Sequence, residues 1–209
     1  MASTTPHPGD ISTGAQITEL PIFPLNTVLF PGGVIHLRLF EPRYLRMAAD
    51  CLKAESPFGV CLIAEGREAG TPAVPHAIGV KAHIRDWDME QLGLLHVSAV
   101  GGERFRILTR QADGSGLIRA QVERILPELR LPLPEGLADL AQALRAIVDK
   151  AGPDIVPRPH DFHDASWVGC RLCELLPLPL PAKQGLLELD EPLVRLGILK
   201  QYLQQRGML

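Results

Sequence analysis

The chain has 209 residues, 46% of them hydrophobic, and 24 acidic against 21 basic side chains give a net charge of -3. That is ample apolar material for a core, while the slight acidity and the absence of any basic run argue against a nucleic-acid binder held by phosphate neutralisation. No apolar stretch approaches the ~20 residues of a membrane helix, and MASTTPHPGDISTGAQ lacks the basic-then-apolar layout of a signal peptide, so a cytoplasmic location and no membrane partner are expected.

Residues 1–17 are polar, Pro- and Gly-containing and without period, which predicts a disordered tail. A β-rich region, 18–126, follows. Its opening, LPIFPLNTVLFPGGVIHLRLFEPRY from Leu20 to Tyr44, holds prolines that fit an edge or the ends of short strands. Pro31-Gly32-Gly33 reads as a turn. Val34 to Phe40 then alternates, with Ile35, Leu37 and Leu39 on one side and His36 and Arg38 on the other, as a half-buried strand does. Glu41-Pro42 starts an amphipathic helix over Arg43–Glu55, with Tyr44, Ala48, Cys51 and Leu52 on its apolar stripe. Phe58 to Ala64 is a short buried strand, and 65–75 a loop.

Four further strands are expected at Ala77–Arg85, Leu92–Val100, Phe105–Gln111 and Leu117–Ile125. Asp86–Gln91, Gly101-Gly102 and Asp113-Gly114 are the turns between them. Arg104 and Arg106 fall on a wet face opposite Phe105 and Ile107. Such antiparallel neighbours make a curled sheet or a small closed barrel. PELRLPLP, 127–134, is a proline-rich linker and a natural hinge. A helical bundle over 135–209 completes an α+β chain. Its first helix carries Leu137, Leu140, Ala141, Leu144, Ile147 and Val148 at helical spacing. Asp164 caps the next, a short helix spans Pro181–Leu189, and a last one runs from Pro192 to Arg206 with Leu193, Leu196, Leu199 and Leu203 inward.

Chemistry is mostly missing. No Gly-Lys-Ser or Gly-Lys-Thr occurs, so nucleotide hydrolysis has no phosphate loop. Ser115 sits in Asp113-Gly114-Ser115-Gly116, a hairpin turn and not a nucleophile elbow. Glu41 reads as an anchor between strand and helix, since no partner base accompanies it. Without an export signal the cysteines Cys51, Cys61, Cys170 and Cys173 are expected to be reduced and mostly buried. His160, His163, Cys170 and Cys173 have zinc-ligand types but a spacing that matches no common zinc pattern, and no cofactor is expected. The less ordinary feature is Asp86-Trp87-Asp88-Met89-Glu90, where Trp87 and Met89 interleave with acids at an expected hairpin tip. Trp87 and Met89, with Phe162 for the groove between the β-rich and helical halves, are the candidate binding residues.

These motifs resemble a known family. P-L-N-T-V-L-F-P-G followed by L-F-E-P-R-Y, within Glu19 to Tyr44, is similar to the amino-terminal LON, or substrate-binding, domain of Lon ATP-dependent proteases. The likeness extends through Gly79-Val80, a Gly101-to-Phe105 turn matching the family's G-x-x-R-F, Ala120 to Glu123, and Lys183-Gln184-Gly185-Leu186-Leu187-Glu188 followed by Arg195-Leu196. It implies a β-rich, PUA-like pseudo-barrel followed by a helical bundle. The chain ends at Leu209 with neither ATPase nor Ser-Lys peptidase, so a stand-alone LON-domain protein is expected. The expected function is non-enzymatic recognition of an unfolded or extended polypeptide, or of a protein partner. A small, metal-assisted hydrolase and RNA binding through the PUA-like barrel are the alternatives.

Overall fold

The computed structural model describes residues 16–68, 70–151, 155–156 and 158–209. The expected tail therefore lies almost wholly outside the described residues. The fold is α+β. β1 (Ile17–Leu25), β3 (Phe58–Glu65), β5 (Ile78–Gln91), β6 (Leu94–Ala112) and β7 (Ile118–Arg124) form a ring in the order β1-β7-β6-β5-β3. It closes because β1 pairs antiparallel with β7 through Ile17–Ile22 and then parallel with β3 through Ile22–Leu25. The prolines of β1 are thus inside one continuous strand. Pro21 and Pro24 each lie where only one of its edges is paired, so the missing N–H costs no ladder bond.

The ring is filled, not hollow. Leu20, Ile22, Cys61, Phe105, Ile118, Ala120 and Val122 are buried together inside it. Two glycines make room for Phe105: a Cβ at Gly59 would lie 2.7 Å from its ring, and one at Gly79 would lie 2.4 Å from the Val60 carbonyl oxygen.

Two expected turns are instead strand. Asp86 to Gln91 continues β5, with Trp87 opposite Val97 and Asp88 opposite His96, and the chain reverses at Leu92-Gly93, where Gly93 has φ +86°. The alternation of Trp87 and Met89 with acids is itself a strand period, which the acids disguised. Gly101-Gly102 lies in the middle of β6. Here glycine serves close approach: Gly32 N donates to Gly101 O at 2.7 Å and Gly101 N to Gly33 O at 2.8 Å. A Cβ on Gly101 would sit 2.4 Å from the Phe30 carbonyl oxygen. The G-x-x-R-F segment is therefore a docking point for the Pro31-Gly32-Gly33 turn, not a turn of its own.

β2 (Val34–Leu39) pairs with Leu95–Val100 of β6, and β4 (Val74–Pro75) with β3. α1 (Pro42–Ala54) buries Arg43, Tyr44, Met47, Ala48 and Cys51, a stripe shifted from the expected one toward Met47. In the helical half, α2 (Ala138–Ala151), α3 (Ala165–Leu175), α4 (Leu180–Glu188) and α5 (Pro192–Gln205) follow. Asp164 caps α3 as expected, accepting from Trp167 N at 2.7 Å. α5 faces inward through Leu196, Leu199 and Leu203, whereas Leu193 is 40% exposed, because Pro192 and Arg195 centre the buried stripe one position away. Among the described residues no helix is long and apolar enough to cross a membrane.

One core cluster runs from the outer face of the sheet and α1 through α2 to α5. Buried arginines bolt the halves together. Arg104 was expected on a wet face but is 4% exposed, donating to Leu187 O at 2.8 Å, Leu189 O at 2.9 Å and Asp190 at 2.8 Å. The reason is the end of α4, whose last carbonyls lack helical partners and draw donors from the sheet. Arg195, 1% exposed, donates to Leu186 O and Leu189 O and grips Glu128 through two bonds of 2.6 and 2.9 Å. Glu128 belongs to the proline-rich segment, which is fastened further by Leu133 N to His163 O and Ala165 N to Leu131 O. Arg171 reaches back to Pro31 O at 2.8 Å and pairs with Glu174 at 2.9 Å, and Glu174 accepts from Phe30 N.

Candidate functional site

Beyond the ring extends the layer β2-β6-β5, which buries Leu37, Leu39, Leu95, Val97 and Ala99 in the core and leaves its polar face and its outer edge open. Its register fixes two faces, since directly opposed residues share a side. On one face lie the rows Ile35–Ala99–Ile84 and Leu37–Val97–Trp87, and Leu39 beside Leu95. On the other lie His36–Ser98–Asp86 and Arg38–His96–Asp88. The period-two alternation read in the sequence for β2 produces both.

β2 is an edge strand. Among the described residues it pairs with β6 alone, so half of its backbone donors and acceptors face outward. Beside that edge runs a groove of about 500 Å³, walled by β2, by Phe23 and Leu25 of β1, by Tyr44 of α1 and by Phe40. The wall is built locally. Phe23 and Tyr44 stack with centroids 4.0 Å apart, and Arg43 lies over the Tyr44 ring while pairing with Glu41 at 2.8 Å. Glu41 precedes α1 and its side chain pairs within that helix, with no side-chain bond to the strand among the described residues, and burial raises the Tyr44 hydroxyl above its ordinary pKa. Glu68 completes the rim, accepting from Asn26 N. Phe40 is 62% exposed at the groove's mouth.

Of the residues singled out in the sequence, Trp87 and Met89 are 55% and 41% exposed on β5. Register puts Trp87 at the far end of the same apolar face that reaches the groove. Phe162 is elsewhere, half-buried in the helical half, edge-on to Trp167 with centroids 5.1 Å apart and under the Arg145 guanidinium. No local pattern marks Phe23, Leu25, Phe40 and Tyr44 as groove residues. Alternation in β2 was visible, but not that its outer edge would stay unpaired.

Three of the four candidate zinc ligands are engaged in packing, while His163 is exposed and takes part through its backbone carbonyl, which accepts from Leu133 N. His160 Nε2 is 3.0 Å from Val156 O, with its ring against Phe162 and Trp167. Cys170 and Cys173 are buried in α3, Cys170 with its sulfur 3.9 Å from the Arg195 guanidinium. Burial pushes the Cys170 thiol up to about 11 and raises Cys173 also, opposite to an activated thiolate. Among the described residues no three His, Cys, Asp or Glu side chains are grouped to hold a metal. Ser115 is a turn residue, its Oγ donating to Asp113 at 2.6 Å, and those bonds from Ser115 and Leu117 hold the Asp113 carboxyl below its ordinary value. On the polar face of β6, Ser98 stands near His36 and His96 but no hydrogen bond among the described residues joins them, while Asp86 accepts from its neighbour Trp87 N. Along this edge lie outward-facing backbone, apolar side chains, the imidazole of His36 and the guanidinium of Arg38.

Comparison with known proteins places the fold in a family. Residues 19–205 match the family model of the ATP-dependent protease La (LON) substrate-binding domain. A crystal structure of a Lon N-terminal domain protein from Xanthomonas campestris is 36% identical, with a TM-score of 0.75 over 88% of this chain and 98% of that one. The N-terminal domain of Mycobacterium avium complex Lon protease shares the fold at 20% identity, TM-score 0.62, over 88% and 97%. Cereblon from Danio rerio is 29% identical over 123 residues, 57% of this chain and 28% of cereblon, and cereblon from Xenopus tropicalis 30% over 121, 56% and 26%. The chain thus spans about a quarter of the length of these curated relatives. With the motifs, the fold and the family model in agreement over residues 19–205, the chain belongs to the LON substrate-binding domain family.

Proposed function

We propose that this protein is a non-catalytic polypeptide-binding module that takes an extended segment of an unfolded or extended chain along the open edge of β2. The observation that carries the reading is an unpaired strand edge lying beside an apolar groove. Added as a further strand, a peptide satisfies the outward backbone groups and drops alternate side chains toward Phe23, Leu25 and Tyr44. Trp87 and Met89, on the same sheet layer, offer apolar contact for residues beyond the groove. The family's description as a substrate-binding domain supports a polypeptide ligand.

The test is fluorescence anisotropy with a labelled, permanently unfolded polypeptide. Phe40→Asp, at an exposed position, is expected to weaken binding about tenfold, roughly 1.4 kcal/mol. The Trp87→Ala/Met89→Ala pair is expected to cost about threefold, since these residues extend the surface without lining the groove. Affinity unmoved by Phe40→Asp would overturn the assignment of the groove.

A further inference from the structure

The two sides of β2 differ in charge, and that difference selects among extended segments. Resting on the reading that a strand pairs with the β2 edge, we infer that the preferred ligand is a segment in which acidic and apolar side chains alternate. A strand laid against β2 continues its rows, so its successive side chains fall alternately beside His36 and Arg38 and over the apolar groove. Arg38 is exposed and has no ion-pair partner among the described residues. The nearest acids on its face, Asp86 and Asp88, lie on β5, two strands away across β6. With strands about 4.8 Å apart, a carboxylate on the added strand is roughly 5 Å laterally from the Arg38 row and roughly 15 Å from the Asp88 row, beyond a Debye length.

The groove side carries the opposite bias. Its rim holds Glu41, already paired with Arg43, and Glu68. An acid turned to that side meets like charge and apolar walls, whereas Leu, Val or Phe is buried. Acid on one side and apolar on the other therefore reinforce each other in a single register. A second copy of this chain is the poorer occupant. Antiparallel pairing of β2 with its own copy, centred on Leu37, would set Arg38 of each strand opposite His36 of the other and leave Arg38 without an acidic partner.

The experiment uses the full chain and three labelled peptides of about nine residues: alternating Asp and Leu, alternating Lys and Leu, and the Asp/Leu composition in blocks. The alternating acidic peptide is expected to bind about fivefold more tightly than either other, the upper end of what one exposed ion pair, here to Arg38, supplies. Arg38→Glu is expected to reverse the preference between the Asp and Lys peptides. If both alternating peptides bind equally, both weakened by Phe40→Asp, the charge inference is overturned and the groove reading stands. If no peptide responds to Phe40→Asp, both fall. A peptide-free dimer in sedimentation that Ile35→Lys breaks would give the edge to a second copy and overturn the inference.

Discussion

Two regions of this molecule are rich in charge and use it oppositely. At the junction of sheet and helices, Arg104, Arg195 and Glu128 are buried, and their charged groups are spent on helix-end carbonyls and on one another. Along β2, His36 and Arg38 stand exposed beside a strand edge with no partner among the described residues. The proposed binding edge rests on that difference. A satisfied buried network fixes architecture and has nothing left to offer a ligand, while an unsatisfied edge contributes little to folding and is free to bind.

Substitutions sort along that contrast, the largest stability effect coming from the junction. Arg195→Met strips Glu128 of its bidentate partner and leaves a carboxylate 7% exposed. Denaturant unfolding is expected to show a loss of about 3–5 kcal/mol, with peptide affinity of the folded fraction unchanged. A parallel loss of affinity would dissolve the distinction between the regions.

The two junction carboxylates also predict opposite pH dependence. Burial pushes Glu174 up to about 7, against Arg171, the Phe30 N–H and Lys183. Its native value lies above the ordinary 4.5, so the native state keeps a proton that the unfolded chain has already lost. The stability it contributes is whole below pH 4.5 and is lost as pH rises through 7, by at most roughly 3 kcal/mol. Glu174→Gln is expected to flatten that part of the stability curve. Glu128 behaves in reverse. Burial raises it, but bonds from Arg195 and Ser166 outweigh burial and hold it below its ordinary value. Its contribution is present above the ordinary carboxylate range and lost on acidification, so Glu128→Gln is expected to reduce the loss of stability at low pH.

Gly101→Ala tests the contact between β6 and the Pro31-Gly32-Gly33 turn. The new Cβ would meet backbone at 2.4 Å, and a Tm drop equivalent to about 1–3 kcal/mol is expected. Wild-type stability would show that the turn moves away freely. Smallest in stability is Phe40→Asp, expected within about 0.5 kcal/mol of wild type by chemical denaturation, although it weakens binding most. If it unfolds the protein, the groove belongs to the architecture.

Much of this was legible in the residues. The alternation of Val34 to Leu39, the Pro42 helix start, the Asp164 cap and the apolar stripe of α2 are local patterns, and local sequence sets them. What was not legible depends on neighbours distant in the chain. Gly101 looks like a turn until Phe30 is seen against it, and Arg104 looks solvated until the end of α4 arrives above it. The acids around Trp87 imitate a turn because composition outweighed period. The groove needed Phe23, Phe40 and Tyr44 from three elements, and nothing in β2 itself announces that its second edge stays open.

Amide hydrogen exchange of the full chain, with and without the alternating acidic and apolar peptide, tests the central claim most directly. A strand added to β2 is predicted to slow exchange at outward-facing amides within Val34–Leu39 and to leave β7 unchanged. Protection confined to α5 or to the β5–β6 hairpin tip, with β2 exchanging as before, would contradict it.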